Sequence, residues 1–169
     1  MIVICLVNTY DKLKLHEIHL RSIARAAPLC YAFNMHLALL DFPFWKKTED
    51  LAKDVAEYTT IGNGGEYLLK LADEGKLHLI EKIPAHFGVS VATTSKPDPK
   101  KNIDIESLSS LNSATFLIGL GRRGLPSDIL KSARYHLDVT QKEISLETCT
   151  AIGAIAMLLA LKVVKKWRK

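Results

Sequence analysis

Residues 2–7 read Ile-Val-Ile-Cys-Leu-Val, a run that is apolar on both faces of an extended chain. A strand with no polar face has to be covered above and below, which favours a parallel sheet packed between helices. Short apolar runs of the same kind return at residues 36–42, 77–83, 89–94, 114–118 and 136–139. Between them the spacing becomes helical. Over residues 14–27, Leu15, Ile18, Ile23 and Ala26 lie near one face, while Arg21 and Arg25 sit four apart on another. Pro28 is expected to break or re-cap this helix. Further helices are expected at 47–58, 66–74, 105–111, 127–133 and 145–167, and residues 95–101, rich in proline and lysine, read as a loop. The alternation predicts one α/β domain over residues 1–169, a mostly parallel sheet of about six strands with flanking helices.

Composition narrows the class. Hydrophobic residues make up 48% and charged residues 24%, ordinary globular values, and the formal charge of +5 permits a nucleic-acid partner without demanding one. Cys5, Cys30 and Cys149 are odd in number, widely spaced and contain no Cys-x-x-Cys pair, so neither a disulfide framework nor a thiolate metal site is expected. Met1 leads into the first apolar run with no basic flank or small-residue cleavage site, so no signal peptide is expected. The longest apolar run, 151–161, falls short of the roughly 20 residues a bilayer requires. A cytoplasmic protein with no membrane partner is the expectation. His16 and His19 lie one helical turn apart without an evident third ligand, so no metal is expected.

Two motifs carry chemistry. Residues 116–126, Phe-Leu-Ile-Gly-Leu-Gly-Arg-Arg-Gly-Leu-Pro, run an apolar strand into Gly119, Gly121 and Gly124. Glycines directly after a parallel strand let the backbone turn sharply and approach a ligand closely. The string is formally Gly-x-Gly-x-x-Gly, but too little chain follows for a dinucleotide fold, and Leu125-Pro126 stands where a phosphate-binding loop needs Lys-Ser/Thr. The second motif, residues 143–161, opens with Ser145-Leu-Glu-Thr148 and continues as a helix apolar nearly all round. Ser145 or Thr148 can cap it, with Glu147 favourable to the dipole. Such a helix has to be buried on several faces, which points to the sheet on one side and a second subunit on another. Cys149, near that helix start, reads as a small buried residue.

Together these motifs resemble the SpoU/TrmH-like branch of the SPOUT superfamily of RNA methyltransferases, whose last two motifs run approximately Gly-x-Glu-x-x-Gly-Leu and Ser-Leu-Asn-x-x-x-Ala. Here they correspond to residues 119–125 and 145–151, and the Arg-Ser-Ile-Ala-Arg stretch ending at Arg25 loosely matches the first motif. Gly121 stands in place of the family's glutamate, Glu147 in place of an asparagine, and His19 in place of an asparagine six positions before Arg25. The resemblance implies a C-terminal trefoil knot, a homodimer through the last helix, and S-adenosylmethionine as cofactor. It implies cofactor contacts from Thr93 and Thr94, from Gly119, Leu120, Gly121 and Gly124, and from Leu137, Val139, Ile144, Leu146 and Thr148. Arg25, Ser145 and Glu147 become the catalytic candidates, with Arg25 suited to anchor a phosphate and stabilise a developing alkoxide. Arg21, Arg122 and Arg123 become RNA contacts, joined by the basic and aromatic run 165–169 and the lysines of 96–101. Methyl transfer to tRNA or rRNA at a ribose 2′-hydroxyl is the implied function. An inactive cofactor- or RNA-binding dimer and a base methyltransferase stay open beside it.

Overall fold

The computed structural model describes residues 1–63 and 65–167. Its elements follow in the order β1 (Ile2–Val7), α1 (Glu17–Ala32), β2 (His36–Leu40), α2 (Thr48–Ala56), α3 (Glu66–Asp73), β3 (Leu77–Ile80), β4 (Val89–Thr93), β5 (Ala114–Gly119), α4 (Ser127–Ser132), β6 (Tyr135–Leu137) and α5 (Thr148–Trp167). Six strands form one all-parallel sheet in the order β3-β2-β1-β5-β4-β6. The expected α/β architecture with a parallel sheet is therefore the observed one.

Central β1 is buried on both faces, as its apolar run requires. Ile4 and Leu6 join Leu37, Leu39, Phe116 and Ile118 beneath α1, α2, α3 and α5. Val3, Cys5 and Val7 face the other way, against Ala38, Leu117, Phe87 and Leu125, with Ile129 and Leu130 of α4 packed at the margin. Burial raises the thiols of Cys5 and Cys30 to about 12, with the Asp41 charge adding to the effect at Cys5, so both stay protonated core residues.

The sheet register fixes where the loops emerge. Val7 lies opposite Leu40 on one side and Gly119 on the other, and Thr93 lies opposite Leu137. The loops that follow these strands consequently open along one edge, the carboxyl edge where parallel sheets bind ligands.

Several boundaries differ from the sequence expectation for local reasons. The first helix starts at Glu17 instead of residue 14, because the Asp11 carboxylate accepts the backbone N–H groups of Leu13 (2.7 Å) and Lys14 (3.0 Å) and holds a turn there. Pro28 does not end α1, which continues to Ala32. Buried Ala26 and Ala27 before it and Cys30 after it anchor the helix to the core and offset the missing N–H. The helix expected at 105–111 is a single 3-10 turn, Ser107–Ser110, and α5 begins at Thr148, three residues after the expected start.

At the sheet margin, His36 Nδ1 and His78 Nε2 share one hydrogen bond of 2.9 Å with the rings nearly parallel. Burial lowers the pKa of both; Lys76 and the N-terminal ammonium lower His36 further, and His36 and His86 lower His78. Buried His19 is lowered as well, chiefly by desolvation. The folded chain then binds fewer protons than the unfolded chain below the ordinary value of 6.5. Stability contributed by neutral imidazoles is complete above that value and is lost as pH falls through the depressed folded values. Thermal melting followed by circular dichroism should show a melting temperature that is flat above about pH 7 and declines as pH falls below about 6.5. A flat profile down to pH 5, or an undiminished slope in the His36→Gln, His78→Gln double variant, contradicts this.

Candidate functional site

Three loops meet at the carboxyl edge and are tied to one another. The Thr148 hydroxyl at the start of α5 donates to the Gly119 carbonyl at the end of β5 (3.2 Å). Ser145 Oγ and Ser95 Oγ lie 2.8 Å apart, which joins the β6–α5 loop to the loop after β4. The Thr94 N–H donates to the Leu137 carbonyl (3.0 Å), and the Thr93 hydroxyl donates to the Leu117 carbonyl (2.8 Å). The structure thus brings together Thr93 and Thr94, Gly119, Leu137, Ser145 and Thr148, which lie far apart in sequence.

The glycine loop folds back tightly on itself. A Cβ on Gly119 would meet the Gly124 carbonyl carbon at 2.7 Å and the Leu125 nitrogen at 2.9 Å, so only glycine fits. Gly121 (φ +79°) and Gly124 (φ +61°) adopt left-handed backbone, and nothing lies within 4 Å of a Cβ built on Gly124. The backbone at Gly124 opens onto free space on the side it shares with Tyr10, Arg123 and Asp128. Leu120 is buried beneath the loop, its N–H donating to the Val7 carbonyl (3.2 Å) and its carbonyl accepting the Thr9 hydroxyl (2.5 Å).

Asp138 shapes the β6–α5 loop. It is 4% exposed, and its carboxylate accepts the Glu143 N–H (2.6 Å), the Thr140 N–H (3.0 Å) and the Thr140 hydroxyl (2.8 Å). Burial alone pushes this carboxyl up, but the donors at Glu143, Thr140 and Lys142 outweigh it and hold the pKa below the usual value. Gln141 and Glu143 adopt positive φ within the turn so formed. The loop presents Ile144 (57% exposed) and Leu146 (36% exposed), apolar side chains suited to a mixed apolar and polar ligand, with Val139 half-buried below them. Ser145 and Glu147 are exposed, and Glu147 immediately precedes α5.

The other candidates lie elsewhere. Arg25 is exposed on α1, its guanidinium donating to the Arg21 carbonyl (3.2 Å), and Arg21 forms an ion pair with Glu17. Among the described contacts none joins Arg25 to the glycine loop of the same chain. Arg122 and Arg123 are exposed on that loop. The run 165–169 lies, in its side chains, outside the described residues.

The sequence reading passed over a cluster behind the glycine loop. Asn8, 1% exposed, accepts at Oδ1 from His19 Nε2 (3.0 Å) and from the N–H groups of Tyr10 and Asp11 (3.3 Å each). His19 Nδ1 accepts the His16 N–H (2.9 Å), so both ring nitrogens of His19 are engaged. His16 Nε2 donates to Asp11 (2.7 Å), and that bond, with the Leu13 and Lys14 amides, lowers the Asp11 carboxyl to about 2. Neither histidine is arranged as a metal ligand, and among the described residues no group of three His, Cys, Asp or Glu could hold a metal ion. Among them, too, no helix is long and apolar enough to cross a membrane. An Asn-Thr-Tyr-Asp string directly after a buried strand was the available signal, since these are turn residues at a carboxyl edge.

An all-parallel six-stranded sheet in this order with flanking helices resembles in fold the solved structures of SpoU-type methyltransferases. A probable methylase family protein from Haemophilus influenzae Rd KW20 superposes with a TM-score of 0.65 at 16% identity, over 99% of this chain and 68% of that one. The A. aeolicus TrmH/SpoU tRNA modifying enzyme gives 0.56 at 13% identity, over 98% and 76%. The SpoU methyltransferase AviRb from Streptomyces viridochromogenes, in complex with the cofactor AdoMet, gives 0.56 at 13% identity, over 97% and 58%. At these identities the likeness is one of fold. In sequence the chain belongs to the family of proteins of unknown function DUF531, which it matches over residues 2–160. It is also 52% identical over 153 residues to the uncharacterized protein MJ0224 of Methanocaldococcus jannaschii, covering 89% of this chain and 88% of that one.

Replacing Asp138 with Ala leaves the Thr140 and Glu143 donors without their buried acceptor. The variant should lose roughly 1–3 kcal/mol in urea unfolding, and its Glu143 amide should exchange faster with solvent. Unchanged stability together with unchanged exchange would show that Asp138 does not hold the loop.

Proposed function

We propose that this chain is an S-adenosylmethionine-dependent RNA methyltransferase that acts as a homodimer on a ribose 2′-hydroxyl of tRNA or rRNA. One observation carries the proposal: three sequence-distant loops are tied into a single cradle by the Thr148–Gly119 and Ser95–Ser145 contacts at the carboxyl edge of the sheet. The residues present fit the cofactor. Backbone of residues 119–124 would hold polar groups, with Thr93, Thr94, Leu137, Val139 and Thr148 closing the floor, and Ile144 and Leu146 would cover the apolar parts. When bound, the cofactor supplies an electrophilic methyl group on a sulfonium. A reducing cytoplasm suits the three free cysteines.

The chain's own work is alignment and charge. In-line displacement gains most from holding the acceptor oxygen on the axis of the bond that breaks. Ser145 and Glu147 stand exposed at the edge of the cradle, where a hydroxyl can contact the ribose and a carboxylate can accept its proton. Arg25 anchors a phosphate and stabilises negative charge developing on the acceptor oxygen. Since it is remote from the glycine loop of its own chain, its part is assigned across the dimer. Helix α1 packs against α5, and α5 leaves Met157 (48%) and Leu161 (56%) exposed. A partner seated on that face brings the exposed side of α1 to the interface. The C-terminal trefoil knot belongs to the same proposal, supported by β4 lying between β5 and β6 and by residues 145–148 reaching back to Ser95 and Gly119.

An inactive cofactor- or RNA-binding dimer is the second reading, favoured by one feature: the Ser145 hydroxyl is already engaged with Ser95. Labelled methyl transfer into unmodified tRNA and rRNA, with nucleoside analysis, separates the two. The expected product is a 2′-O-methylated nucleoside, and Arg25→Ala should reduce transfer by at least about a hundredfold with cofactor affinity within about twofold by calorimetry. A methylated base overturns the ribose assignment. Cofactor binding without transfer supports the inactive dimer, and no binding at millimolar cofactor rejects the enzyme altogether.

A further inference from the structure

Against Arg123 and Gly124 of the glycine loop lies an open pocket of about 470 Å³ between the ends of β1 and β2 and the start of α4. Tyr10 lines it and is 55% exposed, an unusual degree for an aromatic ring so firmly held. The rings of His16 and His19 meet Tyr10 nearly at right angles, with centroids 5.1 and 5.9 Å away. Its backbone N–H is fixed to Asn8. The ring also rests on the glycine loop: a Cβ on Gly121 would meet Tyr10 Cδ2 at 3.0 Å. Tyr10 is thus pre-oriented from beneath and open to solvent above, the arrangement of a stacking platform.

The charges around the ring are divided. Lys12 is paired with Asp41 at 2.7 Å. Arg123 lines the same pocket and, among the described residues, has no carboxylate within ion-pair distance. Asp128 also lines the pocket and is likewise in no ion pair among them. An open ring, an unpaired guanidinium and an unpaired carboxylate match the three chemical parts of one nucleotide: a π face, a phosphate, and amino or hydroxyl donors. A plain polyanion would meet repulsion from Asp128, and a plain aromatic ligand would leave Arg123 unused.

We infer that this pocket holds one unstacked nucleotide of a single-stranded RNA segment, with its base on Tyr10 and its phosphate on Arg123. The inference deepens the methyltransferase proposal and rests on it for the choice of RNA, since residues 119–124 would then border both the cofactor and the substrate strand. Asp128 accepts a base amino or ribose hydroxyl donor and confers preference among nucleotides.

Fluorescence anisotropy of the full chain with a labelled, mixed-sequence RNA decamer tests it. Tyr10→Ala should weaken binding by about tenfold, and Tyr10→Phe, which keeps the ring, should stay within about twofold of wild type. Arg123→Ala should weaken binding and reduce the slope of log affinity against log salt by about one. A Tyr10→Ala protein that melts like wild type and binds the decamer equally well overturns the inference, as does absence of decamer binding by wild type. The four nucleoside 5′-monophosphates should compete only weakly; competition as strong as the decamer's, nucleotide for nucleotide, overturns the assignment to a strand. Calorimetry of wild type with S-adenosylmethionine is run in parallel. Decamer binding that depends on Tyr10 without cofactor binding leaves the pocket standing and removes the methyltransferase proposal.

Discussion

The Gly119 carbonyl and the Thr148 hydroxyl, 3.2 Å apart, close the link on which the functional edge of this molecule depends. That contact forms only because β1 and β5 pair in parallel register, so that Val7 and Gly119 finish together and the glycine loop leaves the sheet beside the β1 loop. It also needs the β6–α5 loop to turn back across β4, which the buried Asp138 carboxylate accomplishes by gathering the Thr140 and Glu143 amides. Burial of β1 on both faces sets the register, and the register sets the site. A cavity in the central core, as from Phe116→Ala, would for this reason disturb the loops as well as the stability.

Two departures from the family pattern are linked by one residue. Gly121 occupies the glutamate position and His19 an asparagine position, and Tyr10 touches both. A side chain at 121 would have to share space with the Tyr10 ring, and its left-handed backbone disfavours one in any case. His19, buried and neutral, braces the Asn8 side chain that fixes the Tyr10 backbone. The Tyr10 ring stands between positions 19 and 121.

Much of the fold was legible because its signals are local. The apolar runs marked all six strands, and the three glycines marked the tight turn after β5, since both depend on residues adjacent in the chain. Boundaries failed where side chains intervened: Asp11 delayed α1, core contacts on either side carried α1 through Pro28, and the Ser95–Ser145 and Thr148–Gly119 contacts occupied the hydroxyls that had looked like caps for α5. The tied loops include Thr93, Thr94, Gly119, Leu137, Ser145 and Thr148, residues that the motif resemblance had singled out. The Asn8–Tyr10–His19 cluster was not singled out, because its meaning comes from contacts between β1, α1 and the glycine loop that no spacing encodes. Arg25 bonds to the Arg21 carbonyl on its own helix, and no spacing in the sequence shows whether a partner surface meets it.

The most direct test of the cradle is amide chemical-shift mapping of the labelled protein during titration with S-adenosylmethionine. Saturable shifts should concentrate at Thr94 and Ser95, at residues 119–125 and at residues 138–148, with the Gly119 amide among the largest and Tyr10 little moved. Shifts that scatter over the surface, or that centre on the Tyr10 pocket while residues 119–125 and 138–148 stay still, would contradict a cofactor site between the three tied loops.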